Sequence, residues 1–484
     1  MPALEANAER YRALERDYRL LTRPATDILA WRNAQPISCA AFLADIAHCA
    51  ETLPDAPYLI NLCTDRYRFS VAFFAAAVRG QTTLLPSQRN VEAIAALRKS
   101  YRPCRVIADN PDTHCDSLVD FAPAGNGELS ELKISPEHRV AIAFTSGSTG
   151  TPVAHAKRWD LLCAGRATHA RYLANSYGPR ESDQPFLSTE NQPGQPLNGL
   201  IATVPSWHMY GLEWAMLLPT IAPVTLFCGP DFFPGDVIAA LQSFGPKSKN
   251  LLVSTPVHLR ALLTSPEPPD NLARILSATA PLDASTATAL EAYLRSRIFE
   301  IYGCSEIGSL ATRQGSPTKS VERSDWEFFD IFELNLLGES LEISSPLLEQ
   351  EVTLADRFAR GNEYLAHSYP NNITLLGRAS DLVKVAGKRE SMARLNNELL
   401  AIPGVLDGVV YQPETLGVAG GERLAAFVVG ENLDPNSIRL ALANKLDPAF
   451  VPRPIRIVDS LPRDTTSKLT ISALTALAKS YVDG

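Results

Sequence analysis

Val140-Ala141-Ile142-Ala143-Phe144-Thr145-Ser146-Gly147-Ser148-Thr149-Gly150-Thr151-Pro152 passes directly from an apolar run into a loop of hydroxyls and glycines. The run from Val140 to Phe144 reads as a buried strand, since a short unbroken apolar segment has no polar face to leave in water. Glycine tolerates left-handed backbone angles, so Gly147 and Gly150 let successive N–H groups turn toward an anion such as a phosphate. This is not a Walker A loop, because no G-x-x-x-x-G-K-[ST] string occurs in the chain. On composition alone the loop reads equally well as a Ser/Gly-rich surface turn.

Working outward, the middle of the chain alternates short apolar runs with helical patterns. Asp160 to Asn175 reads as a helix, and Leu251 to Ser254 as a strand followed by a helix that Pro256 starts. Ala273 to Ser277 is a further strand, Asp283 caps a helix to about Arg295, and Ile298 to Tyr302 is a strand again. Alternation of this kind predicts an α/β fold of helix-covered, mostly parallel sheets. The last hundred residues change character: strands at Val405 to Tyr411 and Leu424 to Val429 lie near helices at Ser437 to Leu446 and Ile471 to Lys479. From Asp381 onward twelve Lys or Arg balance twelve Asp or Glu, so the acidic excess belongs to the earlier part. The expectation is a large N-terminal domain over 1–377, a hinge near 378–381 and a small α+β domain over 381–484.

At 484 residues the chain exceeds one ordinary core. Its 45% hydrophobic and 20% charged residues are those of a globular protein. A net charge of -8 argues against gripping nucleic acid through phosphates, and leaves small anions open. The eight cysteines form no C-x-x-C pair and read as reduced thiols of a cytoplasmic protein. The opening MPALEANAERYRALERDYRLL reads as a charged amphipathic helix without a signal core. The apolar stretch from Trp214 to Cys228 is broken by Pro219 and Pro223, so no membrane span is expected. Gly303-Cys304-Ser305-Glu306-Ile307-Gly308 misses the hydrolase elbow G-x-S-x-G by one position, because residue 307 is isoleucine.

The string FTSGSTGTP resembles the phosphate-loop signature of the adenylate-forming superfamily, which includes acyl- and aryl-CoA synthetases, nonribosomal peptide synthetase adenylation domains and firefly luciferase. Further matches follow in the family's order to the end of the chain. Val204 to Gly211, with Trp207, His208, Met209 and Tyr210, resembles the P-x-x-H-x-x-G segment beside the acyl pocket. Ser277-Ala278-Thr279-Ala280-Pro281-Leu282 resembles the adenine-binding turn. Tyr302-Gly303-Cys304-Ser305-Glu306 is similar to the Y-G-x-T-E motif, whose glutamate holds magnesium. Gly338-Glu339 ahead of Ser345-Pro346 resembles a short G-E…G-P segment. Asp356 stands where the family's aspartate grips the ribose. Gly377-Arg378-Ala379-Ser380-Asp381, with Lys384, Gly387 and Arg389, resembles the hinge region, and Leu461 to Leu469 resembles the ending whose lysine, here Lys468, is catalytic.

The resemblance implies ATP and Mg2+ as cofactors, with Lys468, Glu306 and His208 as catalytic residues. Nucleotide would be held by Thr145, Ser146, Gly147, Ser148, Thr149, Gly150, Ala278, Thr279, Ala280, Tyr302, Gly303, Ser305, Asp356 and Arg378. The acid would sit beside Trp207, His208, Met209 and Tyr210, and the small domain would turn about Ser380. Without the resemblance, Glu306 and Lys468 read as solvated surface charges and His208 as a structural histidine. The family's lysine after the loop proline is Val153 here, so either Lys157 replaces it or the loop acts with fewer charges. Ser305 and Ser467 replace the family's threonine and glycine, and Arg394 stands where a glutamate is common.

Compact length is similar to ligases of aryl-polyene and xanthomonadin-type pigment clusters, which load a hydroxybenzoate-like acid onto an acyl carrier protein. Arg453, Arg456 and Arg463 would suit an acidic carrier, or form an ordinary solvated face. A free-standing aryl- or fatty acyl-CoA ligase is the alternative acceptor reading. A non-catalytic nucleotide-binding relative is a third, disfavoured by the presence of Glu306, Asp356, Arg378 and Lys468 together.

Overall fold

The computed structural model describes residues 18–111, 113–120, 132–145, 153–175, 198–229, 232–315, 325–345, 348, 350–360, 372–378, 382–385, 388–413, 423–430, 432–464 and 469–481. Ser146 to Gly150, Ser380 and Lys468 therefore lie outside the described residues, as does the opening amphipathic segment through residue 17.

Two large sheets dominate. In the six-stranded sheet the strands run in the order Ser117–Leu118, Cys104–Ala108, Tyr58–Asn61, Thr82–Leu85, Arg139–Thr145 and Val153–Arg158. All neighbours are parallel except the last two, which pair antiparallel with Thr145 opposite Val153. The helix Arg66–Val78 starts where the Asp65 carboxylate accepts from the Arg68 amide, satisfying one of the orphan donors of a helix start. Ten of its thirteen residues are buried, among them Phe69, Phe73 and Phe74, so it lies sandwiched inside the protein rather than on its surface.

The thirteen-stranded sheet has a parallel centre: Arg297–Cys304, Leu272–Ser277, Asn250–Ser254, Gly199–Ala202, Thr225–Phe227 and Ile28–Arg32 lie side by side in that order. The alternation read from sequence corresponds to this centre. Asp283 caps the helix Ala284–Leu294 as expected, and Arg295 ends it in the left-handed region. Beyond Arg297–Cys304 the sheet continues antiparallel through Gly308–Gln314, Trp326–Phe328, Asn372–Arg378, Val352–Arg360, Ser340–Ser344 and Glu333–Leu337. Antiparallel neighbours can be joined by short turns. One such turn is Gly338-Glu339, where Leu337 pairs with Ser340 and Gly338 takes φ +64°. The G-E dipeptide thus forms a hairpin tip, which glycine makes possible.

Residues from Val383 onward bury their own clusters, one around Leu395, Val428 and Leu442 and one around Phe427 and Leu474. They surround a three-stranded sheet, Asp407–Tyr411, Ala425–Val429 and Ile455–Ile457. None of the eight cysteines forms a disulfide, and burial pushes the Cys39 and Cys49 thiols up to about 11 and about 12, which leaves them unreactive. Among the described residues no helix is long and apolar enough to cross a membrane. The apolar stretch after Trp214 instead forms the end of a π-helical turn, Leu212–Leu217, a short 3₁₀ turn and the strand Thr225–Phe227.

His169, on the helix Trp159–Asn175, is 1% exposed and stacks on Trp214 with ring centroids 4.1 Å apart. Burial lowers its pKa to about 3, against roughly 6.5 in an unfolded chain. Its neutral form therefore contributes stability that is fully present above pH 6.5 and is lost as pH falls toward 3. Between pH 6.5 and 4.5 the His169→Gln protein should lose about 2 kcal/mol less unfolding free energy than the unaltered protein. Denaturant titrations at the two pH values check this, and parallel losses would show that His169 is not the titrating group.

Candidate active site

Three of the segments singled out in the sequence begin where parallel strands of the large sheet end. Thr203 to Gly211 follows Ala202, Ala278 to Leu282 follows Ser277, and the Ser305-Glu306-Ile307 turn follows Cys304. Carboxyl ends of parallel strands are where open α/β sheets bind ligands.

The turn of Glu306 joins two antiparallel strands, with Cys304 opposite Gly308. The Glu306 side chain is exposed. Burial acts to raise its pKa, but hydrogen bonds to the carboxylate, with His155 and Lys157 nearby, outweigh this and hold it below the usual glutamate value. An ionised carboxylate at a solvent-facing turn suits a cation. Lys157 is not at the surface: it is 2% exposed, and its Nζ donates to the Glu306 main-chain oxygen at 2.7 Å. Burial lowers its pKa, and the carboxylate of Glu213 acts in the opposite direction. Glu213 is itself buried, which raises its pKa, and its Oε2 accepts from the Ser309 amide at 3.0 Å and hydroxyl at 2.6 Å.

Tyr302 and Asp356 come together from distant strands, the phenol donating to Asp356 Oδ2 at 2.6 Å. Arg378 stands directly opposite Asp356 in the antiparallel register. Trp326 packs at 5.5 Å from the Tyr302 ring, and the Arg313 guanidinium lies 4.2 Å from the Trp326 ring. Arg313 also makes a two-pronged ion pair with buried Glu300, at 2.9 and 3.2 Å. Glu300 in turn accepts from the Leu282 amide at 3.1 Å, so the turn of Ala278, Thr279 and Ala280 is tied to the same network. Thr279 has φ +78°. A β-branched residue in that region is strained, and such strain concentrates at ligand sites.

In the segment after Ala202, Trp207 and His208 are half-buried, while Met209 and Tyr210 are 8% and 5% exposed. Trp207 lies between the Arg89 guanidinium, 3.9 Å from its ring centroid, and the Phe69 ring at 6.2 Å. Arg66, the first residue of the helix Arg66–Val78, reaches the main-chain oxygens of Ala202 and Val204. His208 starts the turn Met209–Gly211. A Cβ on Gly211 would lie 2.1 Å from the Pro205 oxygen, which explains why only glycine fits there. In the C-terminal part, Arg463 is bound two-pronged to Asp407 at 2.6 and 2.7 Å, and the Arg456 guanidinium lies 5.1 Å from the Tyr481 ring. Arg453 is exposed. Of the three arginines considered for a carrier protein, Arg463 serves the fold of the segment leading to Lys468.

Sequence reasoning missed Arg66, Arg89, Glu213, Glu300, Ser309 and Arg313. Glu213 alone carried a signal, as the single acid in the run Met209-Tyr210-Gly211-Leu212-Glu213-Trp214-Ala215-Met216-Leu217-Leu218, where an unpaired charge would be too costly.

Residues 70–327 match the family model of AMP-binding enzymes. Among curated proteins, a 4-coumarate–CoA ligase of Rhodobacter capsulatus is 29% identical over 300 residues, covering 62% of this chain and 65% of that protein. The matched segment thus spans just under two thirds of that relative. A 4-coumarate–CoA ligase of Halorhodospira halophila is 25% identical over 71% of this chain and 78% of its own length. Among solved structures, ATP-bound MatB from Rhodopseudomonas palustris superposes with a TM-score of 0.74 at 18% identity, covering 97% of this chain and 99% of that one. This last likeness establishes a shared fold.

Tyr302→Phe removes the hydroxyl that orients Asp356. It should weaken ATP binding about tenfold, the worth of a hydrogen bond to a charged group, while leaving the melting temperature nearly unchanged. Isothermal calorimetry checks the first and a thermal scan the second; unaltered affinity would mean that the bond does not prepare a nucleotide site.

Proposed function

Because the chain belongs to the AMP-binding enzyme family, we propose that it activates a carboxylic acid with ATP as the acyl-adenylate and passes the acyl group to a thiol. The observation that carries this reading is the meeting of Tyr302 and Asp356 beside the Glu306 turn, at the strand end where a ribose and its phosphates would lie side by side.

A carboxylate is a poor acyl donor because its leaving group would be oxide. When a carboxylate oxygen attacks the α-phosphorus of ATP, the bond to the bridging oxygen breaks and pyrophosphate leaves, giving a mixed anhydride. Both reactants are anions, so the protein's task is to offset their repulsion and align them. Asp356 would hold the ribose, the Ala278 to Ala280 turn the adenine, and Thr145 with Ser146 to Gly150 the departing pyrophosphate. Lys468 would stabilise charge between carboxylate and α-phosphate. The thiol then attacks the acyl carbon, AMP leaves and the thiol proton is released.

Mg2+ fits the groups present. Among the described residues no three His, Cys, Asp or Glu side chains cluster, and one ionised carboxylate with ATP's own phosphate oxygens and water is the donor set this ion ordinarily uses. Glu306 would hold it, and it supplies neutralising charge at the phosphates. Lys157 donates to the Glu306 main chain, which supports the reading in which the pyrophosphate loop acts with fewer side-chain charges than is usual in the family.

An aromatic, hydroxybenzoate-like acid is supported by the flat surface of Trp207 beside His208, and by relatives named for 4-coumarate. The relatives' names equally support CoA as the thiol. A carrier-protein phosphopantetheine has behind it the exposed Arg453 and the compact length. In the two-domain reading, 381–484 turns about Ser380 between the half-reactions.

Exchange of labelled pyrophosphate into ATP, without any thiol, should depend on acid and select one class from a panel of aryl and fatty acids. Silence across the panel, with ATP still bound, would sink the acid-activating reading. Lys468→Ala should slow the exchange about 10²–10³-fold, as loss of one preorganised charge does. Ser380→Pro should spare the exchange and abolish thioester formation; equal loss of both would refute the hinge assignment.

A further inference from the structure

We propose that Lys157 and Glu213 are positioning residues that grip the Glu306 turn from both ends and set its affinity for a nucleotide-bound divalent cation. The inference rests on the reading above in which Glu306 meets the cation that accompanies ATP.

The grip is made through the main chain. Lys157 holds the Glu306 carbonyl on one side at 2.7 Å, and Glu213 holds the Ser309 amide on the other at 3.0 Å. The Ser309 hydroxyl accepts from Trp214 Nε1 at 3.0 Å while donating to Glu213, so the second hold is itself braced. Gly308 lies between the two, at φ +125°, where an added Cβ would stand 2.0 Å from Glu213 Oε1. Any side chain there would drive the carboxylate off the turn. Both charges are nearly inaccessible, at 2% and 7% exposure. Burying them carries a desolvation cost that a plain hairpin has no reason to bear.

The chemistry of the grip also matters. A lysine bonded to the Glu306 carboxylate would compete with an incoming cation. Bonded to its carbonyl, it fixes where the side chain starts and puts no ammonium on the carboxylate, whose own hydrogen bonds come from the Glu306 amide and the Cys304 thiol. Lys157 belongs to the strand that follows the 146–152 segment, and Glu213 lies five residues after His208. The turn is thereby referenced to the phosphate-loop strand and to the acid-pocket segment at once.

The test is calorimetric titration of the full chain with ATP, with and without Mg2+, for the unaltered protein, Lys157→Met and Ser309→Ala. In the unaltered protein Mg2+ should strengthen ATP binding. Lys157→Met should cut that gain about tenfold, the worth of a charge-assisted bond, and keep metal-free affinity within about twofold. Hydrogen exchange should quicken at 303–309 in the same variant. A gain equal to that of the unaltered protein, or an equal loss with and without Mg2+, would overturn the proposal. If Lys157→Met does not fold, Ser309→Ala carries the test with a loss of about threefold, and an undiminished gain overturns the grip. No Mg2+ gain in the unaltered protein would also overturn it. A normal gain, lost in the variants, without exchange for any acid would support the grip while refuting acid activation.

Discussion

Parallel strands that end inside a protein leave main-chain amides and carbonyls with no ladder partner, and these groups must be satisfied before a stable site can form. Here long, mostly buried side chains do so. Arg66 takes the oxygens of Ala202 and Val204, Arg89 that of Asn61, Lys157 that of Glu306, and Glu213 and Glu300 take the amides of Ser309 and Leu282. Each bond fixes main chain at or just beyond the end of a strand. In the proposed function, the same side chains that satisfy the backbone would also fix the loops around a substrate.

The arrangement explains how so many charges are tolerated near one another. Arg313 and Glu300 form a two-pronged pair under Trp326, and Arg260 pairs with Asp283 at 3.1 Å where both side chains are almost wholly buried. Such pairs add little net stability over an apolar core, yet removing one partner leaves an uncompensated charge. They make the loops unique in position. Glu306, by contrast, is exposed and held below the usual glutamate range, which suits the cation-holding role proposed for it.

Much of this was legible in the chain. The strand over Val140 to Phe144, the capping role of Asp283 and the parallel strands at Leu251 to Ser254, Ala273 to Ser277 and Ile298 to Tyr302 follow from patterns a few residues long. The antiparallel extension through Gly308–Gln314 and Val352–Arg360 was not read, because the first is buried over five successive residues and the second alternates irregularly, so neither shows a clean two-residue period. Lys157 was read as a candidate for a loop charge, since nothing within its own strand reveals which neighbour its ammonium reaches.

What the sequence by itself determined is local: the order of motifs, the residue types at each strand end, and glycines at positions such as Gly211 where no side chain fits. The tertiary structure alone decided the partnerships. Lys157 and Glu306 are 149 residues apart, and Tyr302 and Asp356 are 54 apart. Hydrophobic period and turn chemistry act over a few residues and are written into any short window. Which buried cation meets which orphaned carbonyl depends on the packing of both sheets at once, and exists only when they are assembled.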